Sequence, residues 1–325
     1  MTTTASTQRA EQLPSGAEWE LRSGRYAAII TSVGATLRSV TYDGRDLVVP
    51  FSATSIRPSY RGAVIAPWPN RIEGGRYAYA GKTHQLPIND IATGAALHGL
   101  VHWIRWDLDE VTDSRIVLSH SIVPQNGYPF TVKLRIAYDL TRHGLSARLV
   151  ANNGTEEPVP YGCCPHPYLS AGPAPLDEWE LLLSARSRID VEQGLTPIGE
   201  QQVQAVDADF RTGATIGSRQ IDHAFTGLSP DHDHRFTASL RDRTNGTGVR
   251  MSWGSWGRWV QLHTADGPEA GNRVGLAVEP MSCPPNAFNG PSGPPLLHPG
   301  QFFKADWNIS DLPTPRRPTA LNERM

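Results

Sequence analysis

Short runs of alternating apolar and polar residues recur along this chain, and glycine or proline ends each one before it grows long. In 131–138, Val132, Leu134, Ile136 and Tyr138 share one face while Lys133 and Arg135 share the other. A period of two is the signature of a half-buried strand. Residues 144–150 repeat it with Leu145, Ala147 and Leu149, and 76–86 reads as a hairpin with Gly81-Lys82 at its tip. Further strand-like runs are 26–31, 116–123, 179–184, 248–253, 259–263, 276–279 and 302–309. Thirty glycines and twenty-seven prolines punctuate them, and amphipathic helical runs of helix length are nearly absent. The pattern predicts an all-β fold, a sandwich or barrel. No internal period or linker-like composition divides the chain. One domain is expected over 15–310, between a Thr-rich tail at 1–14 and a Pro-rich tail at 311–325.

Charge and composition narrow the function. Thirty basic residues face thirty-two acidic ones, a net of -2, and the basic ones are scattered. That balance supplies no electrostatic attraction for nucleic acid or an anionic membrane. No apolar stretch reaches the roughly 18–20 residues of a spanning helix. The N-terminus lacks a basic segment followed by an apolar one, so a secretory signal is not expected and the cytoplasm is. Three cysteines, Cys163, Cys164 and Cys283, are too few and odd in number for a disulfide framework.

Five islands break the strand pattern. In Ala66-Pro67-Trp68-Pro69-Asn70-Arg71-Ile72, two prolines hold the backbone extended and Arg71 offers a planar five-donor fork, either for a ligand or for an ion pair on a rigid loop. In Leu97-His98-Gly99-Leu100-Val101-His102-Trp103, His98 precedes a glycine that frees the nearby backbone for close approach; His102 reads as wall or surface. In Cys163-Cys164-Pro165-His166-Pro167-Tyr168, His166 is clamped between prolines, a good way to aim a catalytic imidazole. In Leu276-Ala277-Val278-Glu279-Pro280, a carboxylate ends an apolar strand, where burial raises its basicity. Ile221-Asp222-His223-Ala224-Phe225 is weaker: Asp222 is either a turn residue or an acceptor for hydroxyl groups. Trp68, Trp103, Trp106 and Tyr168 are candidates for an apolar wall, although for each tryptophan the core is the default.

Other chemistries lack a motif. Cys163, Cys164, His166 and Cys283 do not have zinc-ligand spacing, and Asp231-His232-Asp233-His234 reads as a solvated loop. No metal or other cofactor is expected. There is no Gly-rich phosphate loop and no G-x-S-x-G elbow.

Pro69-Asn70-Arg71-Ile72, Leu97-His98-Gly99, His166-Pro167-Tyr168, Asp222-His223-Ala224-Phe225 and Glu279-Pro280, in this order, resemble the aldose 1-epimerase (galactose mutarotase) family over about residues 17–310. The resemblance implies a large antiparallel β-sandwich with a sugar in a cleft on one curved sheet. It implies Glu279 as general base and His166 as general acid, with Arg71, His98 and Asp222 binding the sugar and Asn70, Trp68 and Tyr168 beside them. The chain departs from the family's pattern before His98 (Ala95-Ala96-Leu97), before His166 (Cys163-Cys164-Pro165) and after Glu279 (Pro280-Met281-Ser282-Cys283). The expected reaction is interconversion of the α and β anomers of a free aldohexose, without cofactor, by a monomer or weak homodimer. Two alternatives stand beside it: a hexose-6-phosphate 1-epimerase, which needs a cationic pocket for which Arg57, Arg61 and Arg105 are candidates, and a non-catalytic sugar-binding or sensor protein. A glycoside hydrolase would need two catalytic carboxylates, and only Glu279 is well presented.

Overall fold

A computed structural model describes residues 13–192, 194–267 and 271–314. Antiparallel strands build nearly all of it, with five short 3-10 turns and no α-helix among the described residues. The alternating runs become strands close to where the sequence places them. Tyr26–Thr31, Gly248–Trp253 and Trp259–His263 match end to end, and the hairpin pairs Arg76–Tyr79 with Lys82–Gln85. Its turn is Ala80-Gly81, both at positive φ (51° and 73°), the geometry that matches the twist of a tight hairpin.

Nine strands form the largest sheet, in the order Asp107–Val111, Arg115–Ile122, Val132–Thr141, Gly144–Asn153, Phe302–Asp311, Gly248–Trp253, Phe236–Asp242, Trp179–Leu183, Ala214–Thr215. The last long strand of the chain therefore lies in the middle of this sheet. Asp311, expected to open a C-terminal tail, instead ends that strand opposite Val249 and pairs with Arg45 at 2.6 Å. Most of both expected tails, 1–12 and 315–325, lies outside the described residues. A second sheet has six strands, in the order Tyr168–Leu169, Leu276–Met281, Trp259–His263, Asp222–Thr226, Ser187–Val191, Pro197–Gln202. A four-stranded sheet, Glu18–Ser23 to Arg45–Asp46, packs against Arg115–Ile122 and Val132–Thr141 of the nine-stranded sheet and shares its core.

The main core gathers the inner residues of these sheets: Ile136, Leu149, Leu240, Met251, Trp253 and Trp307 from the nine strands, Phe225, Val260, Leu262 and Val278 from the six. Each large apolar side chain so buried contributes about 1.5–3 kcal/mol. On the other face of the six-stranded sheet, Tyr168 with Ala277, and Ala224 with Met281 and Cys164, form two smaller clusters. That sheet is thus covered on both faces, which is why no residue of Leu276–Met281 is exposed, Glu279 included.

Candidate active site

Register explains how distant residues converge. Glu279 lies opposite Gln261 and Gln261 opposite Ala224; Ala277 lies opposite both His263 and Tyr168, and His263 opposite Asp222. Opposed residues share a sheet face, and so do residues two apart along a strand. Glu279, Gln261, His263, Asp222 and Tyr168 therefore project from one face, while Val278, Leu262, Val260 and Phe225 project from the other into the core. A cavity of about 610 Å³ opens on the polar face, within the size range of small-molecule sites.

His166 reaches the cavity from the short segment before Tyr168. Its N–H donates to the Ala63 carbonyl (3.1 Å) and its carbonyl accepts from Gly62 N–H (2.7 Å), so the proline clamp is fixed at both backbone groups. Its Nε2 lies 3.3 Å from Glu279 Oε1. The ring stacks on Tyr168, centroids 5.6 Å apart, and meets the His98 ring edge-on at 4.9 Å. Glu279, His166 and His98 are 2%, 4% and 6% exposed, yet all three line the cavity.

The opposite rim is the strand pair Arg71–Ile72 and Ala96–Leu97. Asn70 (φ 53°) and His98 (φ 62°) both adopt left-handed backbone, and His98 N–H donates to Asn70 C=O at 2.9 Å. Gly99 must be glycine: its φ is 67° and a Cβ there would stand 2.1 Å from the Ala66 carbonyl oxygen. Arg71 Nε donates to Asp90 Oδ2 at 2.8 Å, with both side chains largely buried. Burial pushes the Asp90 carboxyl up, but hydrogen bonds from Thr93 and Arg71 outweigh it and hold the group below its usual range. Asp222 Oδ1 accepts from Gln261 Nε2 at 2.6 Å, which leaves buried Gln261 Oε1 without a partner among the described residues.

Burial sets the protonation of the pair at the floor. It drives His166 down to about 3 and Glu279 well above the ordinary carboxylate value, the latter reinforced by the Asp222 charge. A dry site disfavours charge on either group, so burial favours a neutral imidazole beside a protonated carboxyl. Burial lowers His98 as well.

Arg71, His98, His166, Asp222, Glu279, Asn70 and Tyr168 all line the cavity. Trp68 does not, and this corrects its place in the binding set. It is 2% exposed, its ring packs against Tyr128 and Phe288, and its Nε1 donates to the Ala96 carbonyl at 3.2 Å. An indole with its single donor satisfied is better placed in the core than over polar side chains. Trp106 is likewise buried, and half-exposed Trp103 covers the Arg57 guanidinium at 4.4 Å. His102 is a buried support, not wall or surface: its Nδ1 donates to the His98 carbonyl at 2.9 Å in the tautomer that bond requires.

Six lining residues escaped the reading of the sequence: Ser59, Tyr60, Gln261, His263, Asp266 and Gly267. A signal existed for two of them. Gln261 and His263 alternate with Val260 and Leu262, a polar stripe within an apolar strand. For Ser59 and Tyr60 there was none. Both sit in left-handed backbone (φ 48° and 54°), and the Tyr60 ring meets His98 at 4.7 Å and His102 at 4.9 Å, edge-on.

His98, His166 and Glu279 also form a possible metal-ligand set, their donor atoms within 4.8 Å of one another; the other such set among the described residues is the outward-facing Asp231, His232 and Asp233.

Comparison with known proteins identifies a family and a fold. The aldose 1-epimerase family model matches residues 18–310. YihR of Escherichia coli (strain K12), itself uncharacterised, is 35% identical over 296 residues, 91% of this chain and 93% of that protein. Among solved structures, a GalM/aldose epimerase homologue from C. elegans superposes with a TM-score of 0.80 at 19% identity, covering 91% of this chain and 98% of that one. A galactose 1-epimerase from Lactobacillus acidophilus NCFM gives 0.74 at 21% identity, covering 90% and 94%.

Proposed function

The chain belongs to the aldose 1-epimerase family, and from that premise we propose that it interconverts the α and β anomers of a free aldohexose, with Glu279 and His166 moving the protons. The observation that carries this reading is the 3.3 Å separation of His166 Nε2 and Glu279 Oε1 on the cavity floor. Anomerisation removes a proton from the C1 hydroxyl and delivers one to the ring oxygen. Both oxygens are bonded to the same carbon, so base and acid must stand side by side. Glycosidase carboxylates stand about 5–9.5 Å apart.

One shared proton suffices. With the proton on His166 and Glu279 ionised, the carboxylate takes the hydroxyl proton while the imidazole protonates the ring oxygen, and the ring opens. The pair is then left with a neutral imidazole and a protonated carboxyl. After rotation about C1–C2, closure on the other face of the aldehyde runs the transfers backwards and restores the first tautomer. Burial favours the neutral tautomer in the empty cavity, and sugar hydroxyls donating to Glu279 stabilise the ionic one. Arg71, held by Asp90, supplies donors to the sugar. Asp222 and the unpartnered Oε1 of Gln261 accept from its hydroxyls, and His98 completes the ring of polar contacts. Tyr60 and Tyr168 supply the apolar wall.

The lining also favours an uncharged sugar over a phosphorylated one. Arg57 is buried against Thr36 Oγ1 (2.6 Å) and the His102 carbonyl (2.5 Å), and Arg61 lies under the Tyr168 ring at 5.1 Å. Neither lines the cavity, where Arg71, already paired with Asp90, stands with Asp222 and Asp266. The test is polarimetry on freshly dissolved α-glucose, α-galactose and glucose 6-phosphate. Acceleration on a free sugar is expected, with kcat lowered by about 10²–10⁴-fold in Glu279→Gln and in His166→Asn. Wild-type rates in either variant, or a preference for the phosphorylated sugar, would overturn the reading.

A further inference from the structure

The floor of the cavity holds a donor set suited to a metal ion as well as to proton transfer. Two imidazoles and one carboxylate is a common ligand combination for zinc, with water in the fourth position. Two ligands bound tetrahedrally to zinc at about 2.0–2.1 Å stand roughly 3.3–3.4 Å apart, and His166 Nε2 and Glu279 Oε1 are separated by 3.3 Å. The His98 donor lies within 4.8 Å of both, so this third ligand moves inward when the set closes on an ion. His98 Nδ1 and His166 Nδ1 are both buried with no hydrogen-bond partner among the described residues, so neither imidazole is tied down through that nitrogen. The cavity admits the ion and leaves room for a coordinated water, and Asp222 adds negative charge beside the carboxylate.

We propose that His98, His166 and Glu279 form a reversible binding site for a divalent ion of the zinc type, and that ion and sugar exclude one another. A bound ion occupies the imidazole and carboxylate lone pairs that proton transfer needs, so the loaded protein is inactive. Arg71, close enough to act on both His98 and Glu279, opposes a second cation and so weakens the site, which keeps the ion exchangeable. Binding itself follows from the geometry alone; the inhibition rests on the acid–base reading above.

The test is calorimetric titration of chelator-treated protein with zinc chloride, with and without saturating sugar. The variants are His98→Asn, since Asn tolerates the left-handed backbone at this position, and His232→Ala in the outward-facing Asp231-His232-Asp233 set. Expected results are displacement of zinc by sugar, at least a tenfold loss of affinity in His98→Asn, and no change in affinity at the sugar-displaced site in His232→Ala. In rate measurements zinc raises the apparent KM, leaves kcat unchanged, and is reversed by chelator. If His98→Asn fails to fold, His166→Asn takes its place. The proposal is overturned by no binding at millimolar zinc, by binding lost with His232 and not with His98, or by zinc and sugar binding together. A mutarotase indifferent to zinc removes this inference alone. A zinc-binding protein without mutarotase activity keeps it and removes the preceding one.

Discussion

The two faces of the six-stranded sheet are built from the same strands and differ only in the parity of the residue. On the inner face Phe225, Val260, Leu262 and Val278 are fully buried against the larger sheet. On the outer face their immediate neighbours Ala224, Gln261, His263 and Glu279 meet the cavity or the small clusters beside it. One face is dry because it is apolar and packed. The other holds groups that burial disfavours, kept in place by the first. The rigidity of the site is thus supplied one residue away along the same backbone, and the two faces should respond in opposite ways to substitution.

The sharpest way to break this contrast is Glu279→Gln. Beyond its loss of about 10²–10⁴-fold in kcat, it should raise the thermal midpoint at neutral pH. A carboxyl whose folded pKa is raised contributes stability that is lost as pH rises through the folded value, and the amide carries no such charge. Thermal melts at pH 5 and pH 8 check the sign: the gain over wild type must be larger at pH 8. Next in size, Leu262→Ala should cost about 2–5 kcal/mol of stability in urea while kcat per folded molecule stays near wild type. A large fall in kcat there would show that the faces are not separable. Gln261→Leu removes the donor to Asp222 and should raise KM by roughly tenfold, about 1.4 kcal/mol, with kcat less affected. The smallest effect belongs to Tyr60→Asn. Asn tolerates left-handed backbone better, so stability should hold or rise by up to about 1 kcal/mol while KM rises a few-fold through loss of the wall. A clear loss of stability would mean that the Tyr60 ring supports the histidines more than it serves the sugar.

The pH profile sharpens the comparison from the solvent side. Burial puts His166 at about 3, so the second proton that would stop catalysis binds only well below the ordinary histidine value of about 6.5. Mutarotation by the folded protein should therefore persist through pH 5–6. An acid limb near 6.5 would mean that the imidazole is wetter than its packing against Tyr168 implies. Acid should instead weaken the fold. Histidines held neutral by burial, with His102 at about 4, contribute stability that is present above 6.5 and lost as pH falls toward their folded values.

Much of the molecule was legible in the chain because the deciding physics is local. A strand's period of two shows directly in Val132–Thr141 and Gly144–Asn153, and the glycines and prolines mark where runs stop. Arg71, His98, His166 and Glu279 stood out because each sits beside a proline or glycine, or at the end of an apolar run. Trp68 shows the limit: two prolines fix its backbone, but which way the indole points depends on Tyr128 and Phe288, far along the chain.

By itself the sequence determined the all-β character, the order of the polar islands and the residue types able to move a proton, since alternation, turn residues and side-chain chemistry are written residue by residue. Only the tertiary structure decided that Glu279 meets His166, that Gln261 and His263 join them, that Tyr60 stands over the histidines, and that the imidazole and the carboxyl are both buried. Those facts depend on strand register and on burial, and both are set by partners on other strands and loops, not by neighbours along the chain.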